Sequence, residues 1–361
     1  MNIYDLDFDD LLEYFLSIGE KKFRTEQFFS WLYEKKIDSI DEITNIKKDV
    51  LEKIKADYST EKLEIVKVER DIDVSKYLFK LSDNEHIEAV LMNHDYGKSI
   101  CISSQVGCNM GCKFCESGRR KKVRNLKIHE MVLQILQVEK DINERISNVV
   151  IMGIGEPFDN YDNVMKFIKI INHPKGLQIG SRHITVSTCG IIPKIKEFSD
   201  FPYQVNLAIS LHAPNDEIRS KIMPINKVYP LKDLMKTLKE YTNKTNRRLT
   251  FEYILLEGVN DSKSDAEELA QLIKGMNAYV NLIPYNSTDN LEFKRTKTIQ
   301  IMRFYDILKK NKINVTIRRE FGGNISAACG QLRSKEECAW NHFIWQMLEK
   351  LEITTRIVSL L

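Results

Sequence analysis

The stretch Cys108-Asn109-Met110-Gly111-Cys112-Lys113-Phe114-Cys115 decides how the rest of the chain is read. Its three thiols are close enough in sequence for one compact loop to turn them all toward one centre. Thiolates are soft ligands that select zinc, Cu(I) or iron-sulfur clusters. A structural zinc site wants a fourth Cys or His close by, but the next histidine, His129, stands 14 residues beyond Cys115 inside a helical pattern. Most four-iron clusters take four cysteines, so a loop supplying three leaves one iron open to a substrate or cofactor. A zinc loop that borrows a distant ligand is the competing reading.

Working outward, a β-rich run at 99–103 precedes the loop, and others follow at 149–152, 183–187, 205–210, 249–255, 279–283 and 315–318. Between them Val164, Phe167, Ile168 and Ile171 recur at helical spacing, as do Ala266, Leu269, Ala270 and Ile273, with Ser264 as the expected N-cap of the latter. Alternating β and α units predict an α/β fold, its parallel strands covered by helices, either as an open sheet or as a full or partial barrel. Ligands of such sheets sit at the carboxyl ends of the strands. Polar residues cluster there: Gly153 and Gly155-Glu156, Ser187-Thr188, Ser210-Leu211-His212, and Tyr285-Asn286. Residues 1–90 read as an accessory domain, helical at first and then alternating from Leu63 to Leu91 like short antiparallel strands. Residues 91–333 form the β-α core, and 334–361 a tail without evident chemistry.

The 361 residues carry 54 Lys plus Arg against 51 Asp plus Glu, a net charge of +3, too small to announce nucleic-acid binding by itself. No apolar run approaches the roughly 18 residues of a membrane span. Met1 to Asp10 holds four Asp where a secretion signal would be basic. A cytoplasmic protein without membrane association is expected, and its seven cysteines then suit catalysis or metal binding better than structural disulfides.

The C-x-x-x-C-x-x-C spacing, with an aromatic before the last Cys, resembles the signature of the radical S-adenosylmethionine superfamily. That resemblance implies a partial (β/α)6 barrel and one [4Fe-4S] cluster on Cys108, Cys112 and Cys115, whose open iron chelates S-adenosylmethionine. Two further cysteines tighten the match. Cys101-Ile102-Ser103-Ser104-Gln105-Val106-Gly107-Cys108 and Ala327-Ala328-Cys329-Gly330-Gln331-Leu332 resemble segments of the RlmN/Cfr family, which methylates an adenine of 23S rRNA. So do Met152-Gly153-Ile154-Gly155-Glu156-Pro157, Ile209-Ser210-Leu211-His212-Ala213-Pro214-Asn215 and Val280-Asn281-Leu282-Ile283-Pro284-Tyr285-Asn286; the likeness runs from about residue 23 to 333.

Adenine C2 offers no nucleophilic carbon and no acidic proton, so radical chemistry carried by a cofactor is the available route. The resemblance implies two S-adenosylmethionine molecules per turnover. One methylates Cys329; the other is cleaved reductively to a 5′-deoxyadenosyl radical that activates that methyl group. RNA and protein become covalently joined. Glu88 matches the base that takes the ring proton, and Cys101 the thiol that releases the product through a transient disulfide. Gly155, Glu156, Ser187, Ser210, Leu211, His212 and Asn286 match the family's S-adenosylmethionine contacts.

As partners the resemblance implies 23S rRNA, leaves tRNA open as a second substrate, and calls for an electron donor such as flavodoxin or ferredoxin; a monomer is expected. Two basic runs, Arg119, Arg120, Lys121, Lys122 and Arg124, then Lys309, Lys310, Lys312, Arg318 and Arg319, are candidates for phosphate contact. Cys189 and Cys338 are expected to be unreactive free thiols. Pro157 and Trp31-Leu32-Tyr33 favour the branch that methylates C2, whereas the cysteine loop is closer to the branch that methylates C8. A zinc-loop RNA-binding protein is the non-enzymatic alternative.

Overall fold

A computed structural model describes residues 1–286 and 291–318; Arg319, Cys329, Cys338 and the tail at 334–361 lie outside the described residues. Helices α1 (Phe8–Ser17), α2 (Lys22–Tyr33) and α3 (Lys48–Asp57) open the chain. α1 begins where the Asp7 carboxylate accepts from the amides of Asp9 and Asp10 while that of Asp10 accepts from Asp7 N–H, a reciprocal cap. Strands β1 (Glu64–Asp71), β2 (Val74–Lys80) and β3 (His86–His94) follow as an antiparallel meander, and β4 (Gly97–Cys101) pairs antiparallel with β3.

From β4 onward every addition to the main sheet is parallel: β7 (Asn148–Ile151), β8 (Ile184–Thr188), β9 (Asn206–Ser210), β10 (Leu249–Leu255), β11 (Ala278–Pro284) and β12 (Asn314–Ile317). The short antiparallel pair β5 (Gln105–Val106) and β6 (Arg124–Asn125) brackets the cysteine loop. The crossovers carry α4 (Ile128–Ile142), α5 (Tyr161–Asn172), α6 (Ile192–Phe198), α7 (Asp216–Ile222) with α8 (Leu231–Thr245), α9 (Lys263–Leu272) and α10 (Thr298–Lys310). Among the described residues the result is six β-α units and a seventh parallel strand in one ten-stranded sheet, ordered β1-β2-β3-β4-β7-β8-β9-β10-β11-β12. All seven expected core strands are present, each within two residues of its sequence reading.

One expectation is corrected. Ser262, not Ser264, caps α9: its hydroxyl accepts from Asp265 N–H, and the Asp265 carboxylate accepts from Ser262 N–H. Ser264 also has an acidic residue three positions on, Glu267, but the helix already starts at Lys263, so its first free amides fall to Ser262.

The sheet runs through residue 90 without a break, because β3 spans it. The helical amino terminus and the β-α core share one apolar cluster that includes Phe15, Leu32, Tyr77, Ile100, Val132 and Ile151. Side chains alternate between the faces of each strand, and ladder partners point the same way. Val90, Cys101 and Val150 are successive partners across β3, β4 and β7, which puts them on the face lined further along by Thr185, Thr250 and Asn281. No helix among the described residues is long and apolar enough to cross a membrane.

Candidate active site at the strand ends

The cysteine loop is pinned at both ends. Gly107, at φ +73°, lets the chain pass so close to Lys121 that a Cβ would meet its carbonyl oxygen at 2.3 Å. Cys108 N–H then donates to Arg120 O at 2.9 Å, and Lys113 N–H to Ile222 O at 2.9 Å. Phe114 is buried edge-on against the His212 ring, with centroids 4.8 Å apart. Cys108, Cys112 and Cys115 therefore line one cavity of about 140 Å³ together with Gly155, Ser187 and His212.

Burial pushes the Cys108 thiol up to about 12 and raises Cys112 well above the usual thiol range, and the neighbouring Cys115 pushes each further. As thiolates they would repel one another unless a cationic group sat between them. Among the described residues no three His, Cys, Asp or Glu side chains are drawn together tightly enough to hold a single metal ion; the thiols share a cavity rather than a point. Three soft donors held around common space suit an iron-sulfur cluster.

The strand ends supply the opposite wall. Gly153 and Gly155 sit where backbone meets backbone: a Cβ on Gly153 would lie 2.6 Å from Ile102 O, and one on Gly155, at φ +112°, 2.9 Å from Gln105 N. Glu156 is buried, and its carboxylate accepts from Phe158 N–H at 3.0 Å and Cys189 N–H at 2.8 Å. Burial raises its pKa against those bonds. Ser187 and Ser210 bring their hydroxyl oxygens to 3.5 Å.

His212 occupies the left-handed region at φ +56°, an uncommon conformation for a non-glycine residue. Its Nδ1 accepts from Ile254 N–H at 3.1 Å, so the neutral ring carries its proton on Nε2. Burial, and then the charge of Arg219, hold its pKa down to about 3. Leu211 places its side chain in the main core, its amide bonded to Glu252 O and its carbonyl to Arg219. Asn286 stands two residues past β11.

Glu88 and Cys101 come together on the accessory side of the same sheet face. Val90 is the ladder partner of Cys101, and Glu88 lies two residues before it on β3. Glu88 is buried, with Oε1 3.8 Å from Lys76 Nζ; Lys76 reaches Glu69 at 2.8 Å. Ser103 couples this pair to the cavity wall: its hydroxyl donates to Glu88 O at 2.6 Å and accepts from Ile154 N–H at 3.0 Å, while Gln134 bonds both its amide and its carbonyl. Cys101 packs with Val90, Met92 and Ile154, and Met152, which lines the cavity, packs on that cluster.

The first basic run is mostly committed within the molecule. Arg120 pairs with Glu85 at 2.7 Å and Lys122 with Asp159 at 2.6 Å; Arg124 pairs with Asp83 at 2.6 Å and forks onto Glu130 at 2.7 and 2.8 Å. Sequence reasoning did not anticipate this, nor the parts played by Arg219, Ser103, Gln134 and Lys76. Cys189, expected to be a buried bystander, is buried but lines the same cavity as the three loop cysteines.

A β-α sheet whose strand ends face a three-cysteine loop defines the radical S-adenosylmethionine class, and the family model "Radical SAM superfamily" matches residues 102–273. A second model, "Ribosomal RNA large subunit methyltransferase N-terminal domain", matches residues 1–59. The chain is 54% identical over 323 residues to the probable dual-specificity RNA methyltransferase RlmN of Spiroplasma citri, covering 88% of this chain and 93% of that protein. It is 52% identical over 344 residues to the protein of the same name from Listeria monocytogenes, covering 93% and 94%. A solved radical SAM methyltransferase from Sphaerobacter thermophilus superposes with a TM-score of 0.88 at 40% identity, over 92% of this chain and 99% of that one. The chain belongs to the RlmN family of radical S-adenosylmethionine methyltransferases.

Proposed function

We propose that this chain methylates C2 of an adenine in 23S rRNA, and an adenine of tRNA as a second substrate. The observation that carries the reading is the placement of Glu88 and Cys101 on one inner sheet face, joined through Ser103 and Met152 to the wall of the three-thiol cavity. The name of the relatives, dual-specificity RNA methyltransferase, supports RNA as the substrate class. Cys108, Cys112 and Cys115 would hold a [4Fe-4S] cluster, with Gly155, Glu156, Ser187, Ser210, Leu211, His212 and Asn286 around S-adenosylmethionine. When bound, these groups supply the reductive cleavage that makes an organic radical.

The remaining steps belong to the chain. Cys329 carries the methyl group through which RNA and protein are joined by a carbon-sulfur bond. Glu88 takes the proton from the ring carbon as the adduct gives up its unpaired electron to the bound cofactor. The Cys101 thiolate attacks the Cys329 sulfur; the carbon-sulfur bond breaks with its electron pair passing to the product carbon, which takes up a proton to become the methyl group, and the new disulfide is reset by a dithiol reductant.

Cys101→Ala should accumulate an RNA-protein crosslink and Cys329→Ala should neither carry a methyl group nor crosslink, both read by denaturing gel and mass spectrometry. Release of methylated RNA by both variants refutes these roles. Mass spectrometry of reacted ribosomal RNA should place the methyl on C2; methyl on C8 overturns the regiochemistry.

A further inference from the structure

Arg219 is wholly buried, and no carboxylate pairs with it among the described residues. Its Nε donates to Leu211 O at 3.1 Å, its Nη2 to Cys189 O at 2.6 Å and Ser210 O at 3.2 Å, and its Nη1 to Asn226 Oδ1 at 2.9 Å. The acceptors all belong to neutral groups. The one acidic side chain in this network is a step removed: Asn226 Nδ2 donates to Asp216 Oδ1 at 2.8 Å.

A buried cation held by neutral oxygens is costly unless an anion nearby makes use of its field. The field is well placed for one. Cys189 and Ser210, whose carbonyls Arg219 grips, line the cavity of the three loop thiols. A four-iron cluster with its thiolates is anionic and gains negative charge on reduction, so a fixed positive charge behind the cavity favours the reduced state.

We infer that Arg219 is a positioning residue with two effects: it ties the ends of β8 and β9 beneath the cavity, and its charge raises the reduction potential of the cluster. The inference rests on the cluster reading. That reading is checked first on unsubstituted, anaerobically prepared protein, which should be brown with about four irons. A colourless zinc protein overturns the functional reading itself.

Redox titration of the brown protein, followed by electron paramagnetic resonance, then tests Arg219. Arg219→Met should lower the reduced-to-oxidised ratio about tenfold at a given ambient potential, about 59 mV for a one-electron couple. Arg219→Lys should recover most of that shift because the charge remains. Its binding of S-adenosylmethionine should stay weakened, because an ammonium lacks the fork that spans three carbonyls.

Asp216→Asn keeps an amide oxygen for Leu231 N–H and Asn226 Nδ2 while removing the opposing charge, so it should raise the potential. Should Arg219→Met fail to fold, Asp216→Asn decides the matter alone. An unchanged potential in Asp216→Asn, or a shift downward, overturns the inference, as does a folded Arg219→Met with unaltered potential.

Discussion

Lys76 and Arg219 are both buried cations, and they are balanced in opposite ways. Lys76 stands on β2 between two carboxylates, 2.8 Å from Glu69 and 3.8 Å from Glu88. Among the described residues Arg219 meets only carbonyls and an amide oxygen. The first arrangement is electrostatically closed and fixes a side chain that the proposed chemistry needs as a base. The second leaves positive potential behind the cavity. Placing a cation is thus a different act on the two sides of the sheet: on the accessory side it holds a protein anion, and at the strand ends it prepares for an anion that arrives with the cofactor.

The largest effect is expected from Arg219→Met. Three buried carbonyls and Asn226 lose their donor, and stranded acceptors cost about 1–3 kcal/mol each, short of full additivity. A loss of about 4 kcal/mol in urea denaturation is expected. A loss below about 1 kcal/mol would mean that water replaces the guanidinium and that the carbonyl grip is dispensable.

Lys76→Met should come next, at about 3 kcal/mol, the low end for breaking a buried pair because Glu69 is partly exposed. Here the comparison can be tested directly. The double variant Lys76→Met with Glu88→Gln removes both buried charges and should recover more than half of the loss, a coupling that a double-mutant cycle measures. Strictly additive losses would show that Lys76 and Glu88 are not energetically paired.

These two cations also mark where the sequence stopped being informative. The cysteine loop and the parallel strands were legible because each is local: ligand spacing in one case, short β-rich runs in the other. Arg219 lies between Ile218 and Ser220 on a two-turn helix and reads as an ordinary solvated charge. What buries it is the convergence of carbonyls from residues 210 and 211, across the turn before its own helix, with that of Cys189 after the neighbouring strand, 30 positions away. Lys76 alternates with Tyr77 and Phe79, as a solvent-facing residue would, but β2 is covered on both faces. The pattern gave the right strand and the wrong environment. Cys329, the residue on which the proposed chemistry most depends, lies outside the described residues, so its approach to Cys101 remains part of the proposal.

The influence of Arg219 should also be visible in acid. His212 keeps a neutral ring with a pKa of about 3 against 6.5 when exposed, from burial first and Arg219 second. Below pH 6.5 the unfolded chain takes up a proton that the folded ring refuses, so this contribution to stability is complete above 6.5 and drains away as pH falls toward 3. Between pH 6.5 and 5 the drain is about 2 kcal/mol, at about 1.36 kcal/mol per unit. A His212→Gln variant lacks it, so the gap between the proteins should narrow by about that amount. A gap independent of pH would show that the ring titrates normally in the fold.

The smallest effects belong to the basic run after the cluster loop, where the same contrast between closed and open charges appears at the surface. Lys122 is tied to Asp159 and Arg120 to Glu85, whereas Lys121 is exposed and makes no ion pair among the described residues. Partly exposed pairs are worth up to about 1 kcal/mol, so Lys122→Ala should cost a few tenths of that scale in stability. A lysine that meets a phosphate instead releases a counterion on binding, so its loss flattens the dependence of log affinity on log salt by about 0.7 to 0.9. Lys121→Ala should flatten the slope for RNA and leave stability unchanged, while Lys122→Ala should do the reverse. If both variants flatten the slope equally, the Lys122 ion pair opens when RNA binds, and an internal partner does not mark a cation as structural on this surface.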